Sequence, residues 1–521
     1  MGWTGEIPMT RPLANPHARQ LVHNVEEIRS SLNGGISSVK RCQYGQFMTP
    51  LPIACFMASL FRTRRSIVRV LDPGAGFGSL TAAFVARMLD RTPRPERIET
   101  TAFEIDDTLI SPLNQVLSLC KQACEATGIV LTTAVFQQDY IASSAYETPT
   151  GLFRGAEGLY DCAILNPPYG KIRTTSDARR NLRKAGIETS NIYAGFMALA
   201  AQQLRRDGEF VSITPRSFCN GLYFRRFRQS FLATMSLRHV HVFDSRKEAF
   251  KDDQVLQETV IVYATKSPKP PDSVVLSVSE KPQAEMHARN VPYEVVIRPE
   301  DPQQFVHLVA DEEGEKAVRY VSQLPAHLST LGIEVSTGRV VDFRARRHLR
   351  AQPGSSTAPL VYPAHFAGGR ISWPNGHTKK PNAIEMNKDT ADLLVPPGVY
   401  VLVKRFTAKE ERRRVVAAVY DSADGAQGPV GFENHLNYFH RAGQGLPTDL
   451  AKGLSLFLNS TVADICFRQF SGHTQVNALD LRILRYPSKQ QLLAIASKGP
   501  QDTTSQQAID AVVEHVLAAS R

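Results

Sequence analysis

Asn166-Pro167-Pro168-Tyr169 follows directly on the apolar run Ala163-Ile164-Leu165, and its residue types suit one kind of chemistry. The side-chain oxygen of Asn166 and the carbonyl of Pro167 are adjacent acceptors, able to take both N–H bonds of a conjugated primary amino group. Such a nitrogen is a poor nucleophile because its lone pair is delocalised. Holding both hydrogens favours a pyramidal nitrogen whose lone pair is released for attack, and the hold tightens as positive charge develops. The two prolines fix φ and remove competing backbone donors. Tyr169 adds an aromatic face on which a flat ring can lie.

Further segments carry ligand-binding residue types. Asp72-Pro-Gly-Ala-Gly-Phe-Gly78 stands between a strand-like run, 67–71, and a helix-like one, and its glycines let backbone come close to a ligand. Alone it reads as a plain turn or as a dinucleotide loop, although the dinucleotide spacing is missing. Glu104 closes the next strand-like run, where an acidic side chain can accept hydrogen bonds from both ribose hydroxyls. Ile105 beside it suits packing on a purine. Asp139, in Gln138-Asp139-Tyr140, closes another strand-like run, a place for a turn former or an acceptor. Upstream, Tyr44-Gly-Gln-Phe-Met-Thr-Pro50 leads into apolar residues at helical spacing over 51–61.

These segments, in this order, resemble the TaqI-type (gamma-class order) N6-adenine DNA methyltransferases of restriction–modification systems. The resemblance runs from Gln43 to about Tyr263. It implies an α/β fold: a class I S-adenosylmethionine-dependent methyltransferase, Rossmann-like with a mostly parallel sheet, followed by a mixed α/β DNA target-recognition domain. It implies S-adenosylmethionine as cofactor, held at its methionine end by Tyr44, Phe47 and Thr49. Asp72, Gly74 and Gly76 belong to the implied cofactor loop, Glu104 and Ile105 to the ribose and adenine, Asp139 to the adenine amino group, and Asn166 to the methyl end. Asn166, Pro167 and Tyr169 are the implied catalytic residues. Their target is an adenine flipped out of double-stranded DNA, because a paired amino group cannot reach such a site. Phe250, in Arg246-Lys-Glu-Ala-Phe250, is the implied second face for that base. A cognate restriction endonuclease acting on the same site is the implied protein partner. The tetrapeptide also serves methyltransferases of RNA and protein, and N4-cytosine enzymes share its geometry, although they more often begin it with Ser. A non-enzymatic DNA-binding module predicts damaged motifs, and Asn166, Tyr169, Glu104 and the loop glycines are all present.

The elements that must hold these residues are legible as an alternation. Strand-like stretches at 67–71, 99–104, 131–138, 161–165 and 209–214 alternate with helical ones at 80–89, 108–126 and 194–205, the pattern of a mostly parallel sheet wrapped by helices. The expected boundaries are an N-terminal arm or helix over 1–40, a catalytic domain over 41–265, a linker over 266–300 marked by Lys-Ser-Pro-Lys-Pro-Pro-Asp, and a recognition domain over 301–521. A chain of 521 residues suits two domains. It shows no apolar run of about 18 residues and no signal-peptide pattern, so a cytoplasmic, DNA-associated protein is expected. Seven scattered cysteines argue against a disulfide framework, and no metal site is expected.

The formal charge of +11 favours a polyanionic partner. Lys404, Arg405, Lys409 and Arg412-Arg413-Arg414 crowd two strand-like pieces with only Glu410 and Glu411 opposing, which suits phosphate contact. Gly338-Arg339, 344–347 and Lys379-Lys380 add further basic clusters. His473, Gln475 and Asn477 are candidates for DNA contact, Gln and Asn being side chains that read base edges. No convincing nuclease pattern precedes the motifs, so the chain is expected to modify DNA rather than cut it.

Overall fold

The computed structural model describes residues 4–8, 12–33, 48–144, 159–243, 259–280, 284–308, 312–376, 379–407, 413–424, 428–470, 475–500 and 505–518. The chain divides into two units, Met1–Ala310 and Asp311–Arg521.

In the first unit the elements run β1 (Thr4–Pro8), α1 (Pro16–Asn33), α2 (Leu51–Ser59), β2 (Ile67–Pro73), α3 (Ser79–Leu89), β3 (Arg97–Phe103), α4 (Asp107–Glu125), β4 (Val130–Phe136), α5 (Tyr140–Ser144) and β5 (Tyr160–Leu165). They continue with α6 (Asp177–Lys184), α7 (Ile192–Gln203), β6 (Leu204–Pro215), α8 (Ser217–Asn220), α9 (Arg225–Leu232), β7 (Ser236–Phe243), β8 (Thr259–Thr265), β9 (Ser273–Ser279) and β10 (Glu285–Pro292). One sheet takes all ten strands in the order β1-β10-β9-β7-β8-β6-β5-β2-β3-β4. Strands β4, β3, β2, β5 and β6 are parallel, and β8 then enters antiparallel between β6 and β7. This is the class I methyltransferase architecture expected from the sequence.

The central strands are apolar on both faces because both are covered. Val70 and Ile164 point into one core with Phe56 and Phe84, while their neighbours Leu71, Ala163 and Leu165 point into the other with Phe196 and Met197. From β2 the chain steps outward through β3 and β4, then returns to β5 on the other side. That reversal opens a crevice at the carboxyl ends of β2 and β5, where a ligand fits.

One sequence expectation fails at the edge of this sheet. The stretch 266–300, expected as a linker, contains β9 and β10. The proline-rich Lys266–Asp272 is the turn between β8 and β9, which are not adjacent but flank β7. Residues 1–40, expected as an arm or a helix packed on the main domain, hold α1, which packs Leu21 and Val25 into the sheet's core, and also β1, paired antiparallel with β10.

On β7, His239 and His241 are buried and share the Ser277 hydroxyl of β9, at 2.6 and 2.8 Å. His307 is also buried, with its Nε2 unpaired among the described residues. Burial pulls His239 down to about 4 and His307 down to about 3, from an ordinary 6.5. In the unfolded chain these rings protonate near 6.5, so folding stability drops as pH falls from there towards 4. The loss between pH 7 and pH 5 is about 2 kcal/mol per ring. Urea unfolding of His307→Gln at the two pH values is expected to show a pH difference smaller than wild type by about that amount. An unchanged difference would contradict a neutral, buried His307.

Among the described residues, the second unit holds two further sheets, of six and five strands, and several helices. The helix Thr448–Leu458 packs on Lys489–Lys498 so closely that a Cβ at Gly453 would lie 2.0 Å from the Leu492 carbonyl oxygen, so only glycine fits. Among the described residues no single helix is long and apolar enough to cross a membrane.

Candidate active site

The loop after β2 is folded by its glycines. Gly74, Gly76 and Gly78 have φ of 77°, 58° and 94°, a region that side chains disfavour. At Gly78 a Cβ would also crowd Leu113 and Val116, at 2.9 and 3.2 Å. At Gly76 no other described residue comes within 4 Å of that position. The amides of Gly74 and Ala75 both donate to the Phe103 carbonyl at 2.9 Å, which straps the loop to the end of β3.

Glu104 follows at once and is 3% exposed. Its Oε2 accepts from the Gly76 amide at 2.7 Å, and its Oε1 from the amides of Ile105 and Asp106 at 2.9 and 2.8 Å. Burial raises its pKa, and these three backbone bonds pull it back towards the ionised form. Asp72 lies beneath the loop rather than in the cleft wall. Its Oδ2 accepts from the Thr81 hydroxyl at 2.7 Å, while Oδ1 is buried with no hydrogen-bond partner among the described residues. Burial pushes this carboxyl up to about 7, opposed by the bonds from Thr81 and helped by the charge of Glu104.

A cleft of about 270 Å³ opens here, lined by Thr49, Gly74, Gly76, Glu104, Ile105, Asp139 and Asn166 among others. Ile105 is 51% exposed, an apolar side chain presented to whatever fills the cleft. Asp139 caps α5 by accepting from the Ala142 amide at 3.1 Å. Phe196 on α7 and Ile192 at its start complete the apolar wall. Sequence reasoning missed these two, because α7 is apolar on every side and its cleft-facing residues look like core. A bare glycine turn, an acidic strand end and an exposed isoleucine together fit a purine nucleoside.

Asn166 stands at the boundary of this cleft. Its Nδ2 donates to Thr49 Oγ1 at 3.0 Å, and its Oδ1 accepts from the Tyr169 hydroxyl at 3.3 Å. Thr49 is buried and lies just before α2, so the upstream segment and the tetrapeptide meet at this amide. Pro168 approaches Gly74, 3.8 Å from where its Cβ would be, while Pro167 is buried. Tyr169 is half-buried and does not line the cleft. Its ring meets Tyr193 edge-on at 6.2 Å, and Tyr193 in turn contacts Phe224 at 5.4 Å. Burial keeps the Tyr169 phenol neutral. Tyr44, Phe47 and Phe250 lie outside the described residues.

The basic cluster of the second unit is less open than its sequence suggests. Arg405 bonds Gln475 Oε1 at 3.2 Å and the Asn434 carbonyl at 3.1 Å, so these two expected DNA contacts hold each other. Arg413 bonds the Asn459 side chain and carbonyl at the end of a helix, and Arg414 is buried. Asn477 caps the helix Ala478–Ile483 in a box with Asp480. The Lys404 ammonium sits 5.3 Å over the Phe366 ring. Arg412 and His473 lie outside the described residues.

Comparison with known proteins places this geometry. Residues 105–250 match the family described as Eco57I restriction-modification methylase. The chain is 42% identical over 495 residues to the type II methyltransferase M.PstI of Providencia stuartii, covering 95% of this chain and 96% of the relative. It is 40% identical over 507 residues to the type II methyltransferase M.BsuBI of Bacillus subtilis, covering 96% and 99%. Among solved structures, the type IIL restriction-modification enzyme MmeI in complex with DNA superposes with a TM-score of 0.52 at 12% identity, over 95% of this chain and 74% of the other, a likeness of fold.

Proposed function

The chain belongs to the type II DNA methyltransferases of restriction–modification systems, whose methyl donor is S-adenosylmethionine, and from that premise we propose that it methylates N6 of an adenine flipped out of duplex DNA. The order of its motifs supports assignment to the TaqI-type class. The observation that carries the reading is Asn166 at the wall of the cofactor cleft, its amide bonded on one edge to Thr49 and on the other to Tyr169.

When bound, the donor supplies a sulfonium-activated methyl group. Gly74 and Gly76 let backbone approach it, Glu104 accepts from its ribose hydroxyls, Ile105 packs on its adenine, and Asp139 accepts from that ring's amino group. Asp72 acts from beneath, fixing the glycine loop through Thr81. Tyr44, Phe47 and Thr49 hold the methionine end. Thr49 also anchors Asn166 Nδ2, which turns Oδ1 towards the target. Asn166 Oδ1 and the Pro167 carbonyl take the two N–H bonds of the target amino group and release its lone pair. Tyr169 and Phe250 hold the flipped ring between them. The catalytic unit holds the reaction, and the second unit recognises the site through Lys404, Arg405, Arg412, Arg413, His473, Gln475 and Asn477, which position rather than read where they are tied to each other. The enzyme works in the cytoplasm and protects a site cut by a cognate endonuclease.

Purified protein given methyl-labelled S-adenosylmethionine with plasmid DNA, RNA or bulk protein tests this. Label is expected in DNA alone, and in N6-methyldeoxyadenosine after digestion to nucleosides. Label confined to RNA or protein would contradict the reading.

A further inference from the structure

The turn between α8 and α9 presents one side chain to solvent from an otherwise buried frame. Tyr223 is 85% exposed, while its neighbours Gly221 and Phe224 are buried. Single exposed aromatics are ordinary on mobile surface. This one stands on a rigid support. A Cβ at Gly221 would lie 2.6 Å from the Ser217 carbonyl oxygen and 2.9 Å from the Phe224 ring, so the turn admits only glycine. Arg228, buried, donates to the carbonyls of Phe218 and Gly221 at 2.9 and 2.6 Å and to that of Gln303 at 3.0 Å. Phe224 packs on Tyr193, whose hydroxyl lies 2.7 Å from Ser217 Oγ. Tyr193 also touches Tyr169, so the exposed ring is one residue away from the aromatic chain that ends at the catalytic tyrosine.

Arg225 and Arg226 come next and are both exposed. Neither is in an ion pair among the described residues. They occupy the first turn of α9, which has no acidic residue, where the helix dipole disfavours cations. Two unpaired guanidinium groups held against that field, beside a presented aromatic, suit a polyanion that also offers flat rings.

The geometry points to a DNA-contact edge on the catalytic unit, in which the Tyr223 ring packs on a base or sugar next to the flipped adenine and Arg225 and Arg226 take backbone phosphates. It rests on duplex DNA being the substrate. An apolar protein partner would not call for the two cations.

The test uses the full-length enzyme and a duplex carrying its mapped site, with DNA affinity measured by anisotropy at several salt concentrations. Tyr223→Ala is expected to weaken DNA binding about tenfold, with Tyr223→Phe close to wild type. The double variant Arg225→Gln/Arg226→Gln is expected to make the slope of log affinity against log salt shallower by about two. S-adenosylmethionine affinity should be unchanged in all three, which separates a contact from a folding defect. Wild-type affinity and salt slope in the alanine and double variants would overturn the edge while leaving the enzyme's function standing. The same would follow if those variants altered only self-association. A wild-type enzyme that leaves DNA unmodified would instead overturn the functional reading, and this edge with it.

Discussion

Asn166→Ala is expected to slow methyl transfer about 10²–10³-fold in a single turnover, the loss typical of removing one preorganised hydrogen-bonding group from a transition state. Cofactor affinity should change less than about threefold, because the cleft keeps Gly74, Gly76, Glu104, Ile105 and Asp139. The split follows from where the amide stands. Its Nδ2 donates to Thr49, and its Oδ1 is the acceptor that the proposed mechanism turns towards the target; Oδ1 accepts from Tyr169 at 3.3 Å, a long bond that an incoming amino group can replace. Alanine removes that acceptor and leaves the Pro167 carbonyl alone to hold the nitrogen. Rapid-quench kinetics with saturating S-adenosylmethionine, beside equilibrium binding of the donor, measure both halves. Turnover within tenfold of wild type would remove Asn166 from its catalytic role.

Glu104→Gln should show the reverse pattern, with donor affinity falling about 100-fold, or about 3 kcal/mol, and a smaller effect on the rate at saturation. The carboxylate accepts three backbone amides at 2.7–2.9 Å. Such charge-assisted bonds are among the stronger ones in a protein. Glutamine offers one oxygen, and its NH2 would face backbone donors that need an acceptor. The Gly76 amide then loses its hold on the loop just where backbone meets the ligand. Isothermal titration with S-adenosylmethionine gives the affinity directly. A variant that binds the donor as wild type does would mean that Glu104 serves neither the loop nor the ribose.

The catalytic half of the fold was legible because its strands are buried on both faces and punctuated by residues with a physical purpose. Asp72 to Gly78 reads as a turn from its glycines alone, and Glu104 and Asn166 each follow an apolar run that ends a strand. The sheet's far edge was not legible. Thr4–Pro8 has no alternation of its own and becomes a strand only by pairing with β10. The prolines near 268–271 mark a turn as readily as a domain boundary, and β9 and β10 follow it in the same sheet. Charge runs in the second unit give charge but not pairing, for a related reason. Sequence shows that Arg413 and Arg414 are cationic, but not that one bonds a helix end and the other is buried under the Thr407 carbonyl. Asn477 carried a local signal, an Asn with Asp three residues on, which is a helix start before it is a base reader.

The central claim is that the Asn166 site acts on an adenine amino group within a specific DNA sequence. Expression of the enzyme in a host without adenine methylation, followed by long-read mapping of modified bases, tests it most directly. N6-methyladenine at one short motif, strongly reduced when Asn166→Ala replaces the wild type, is the result this account predicts. N4-methylcytosine at that motif, or genomic DNA left unmodified by a folded enzyme that binds S-adenosylmethionine, would contradict it.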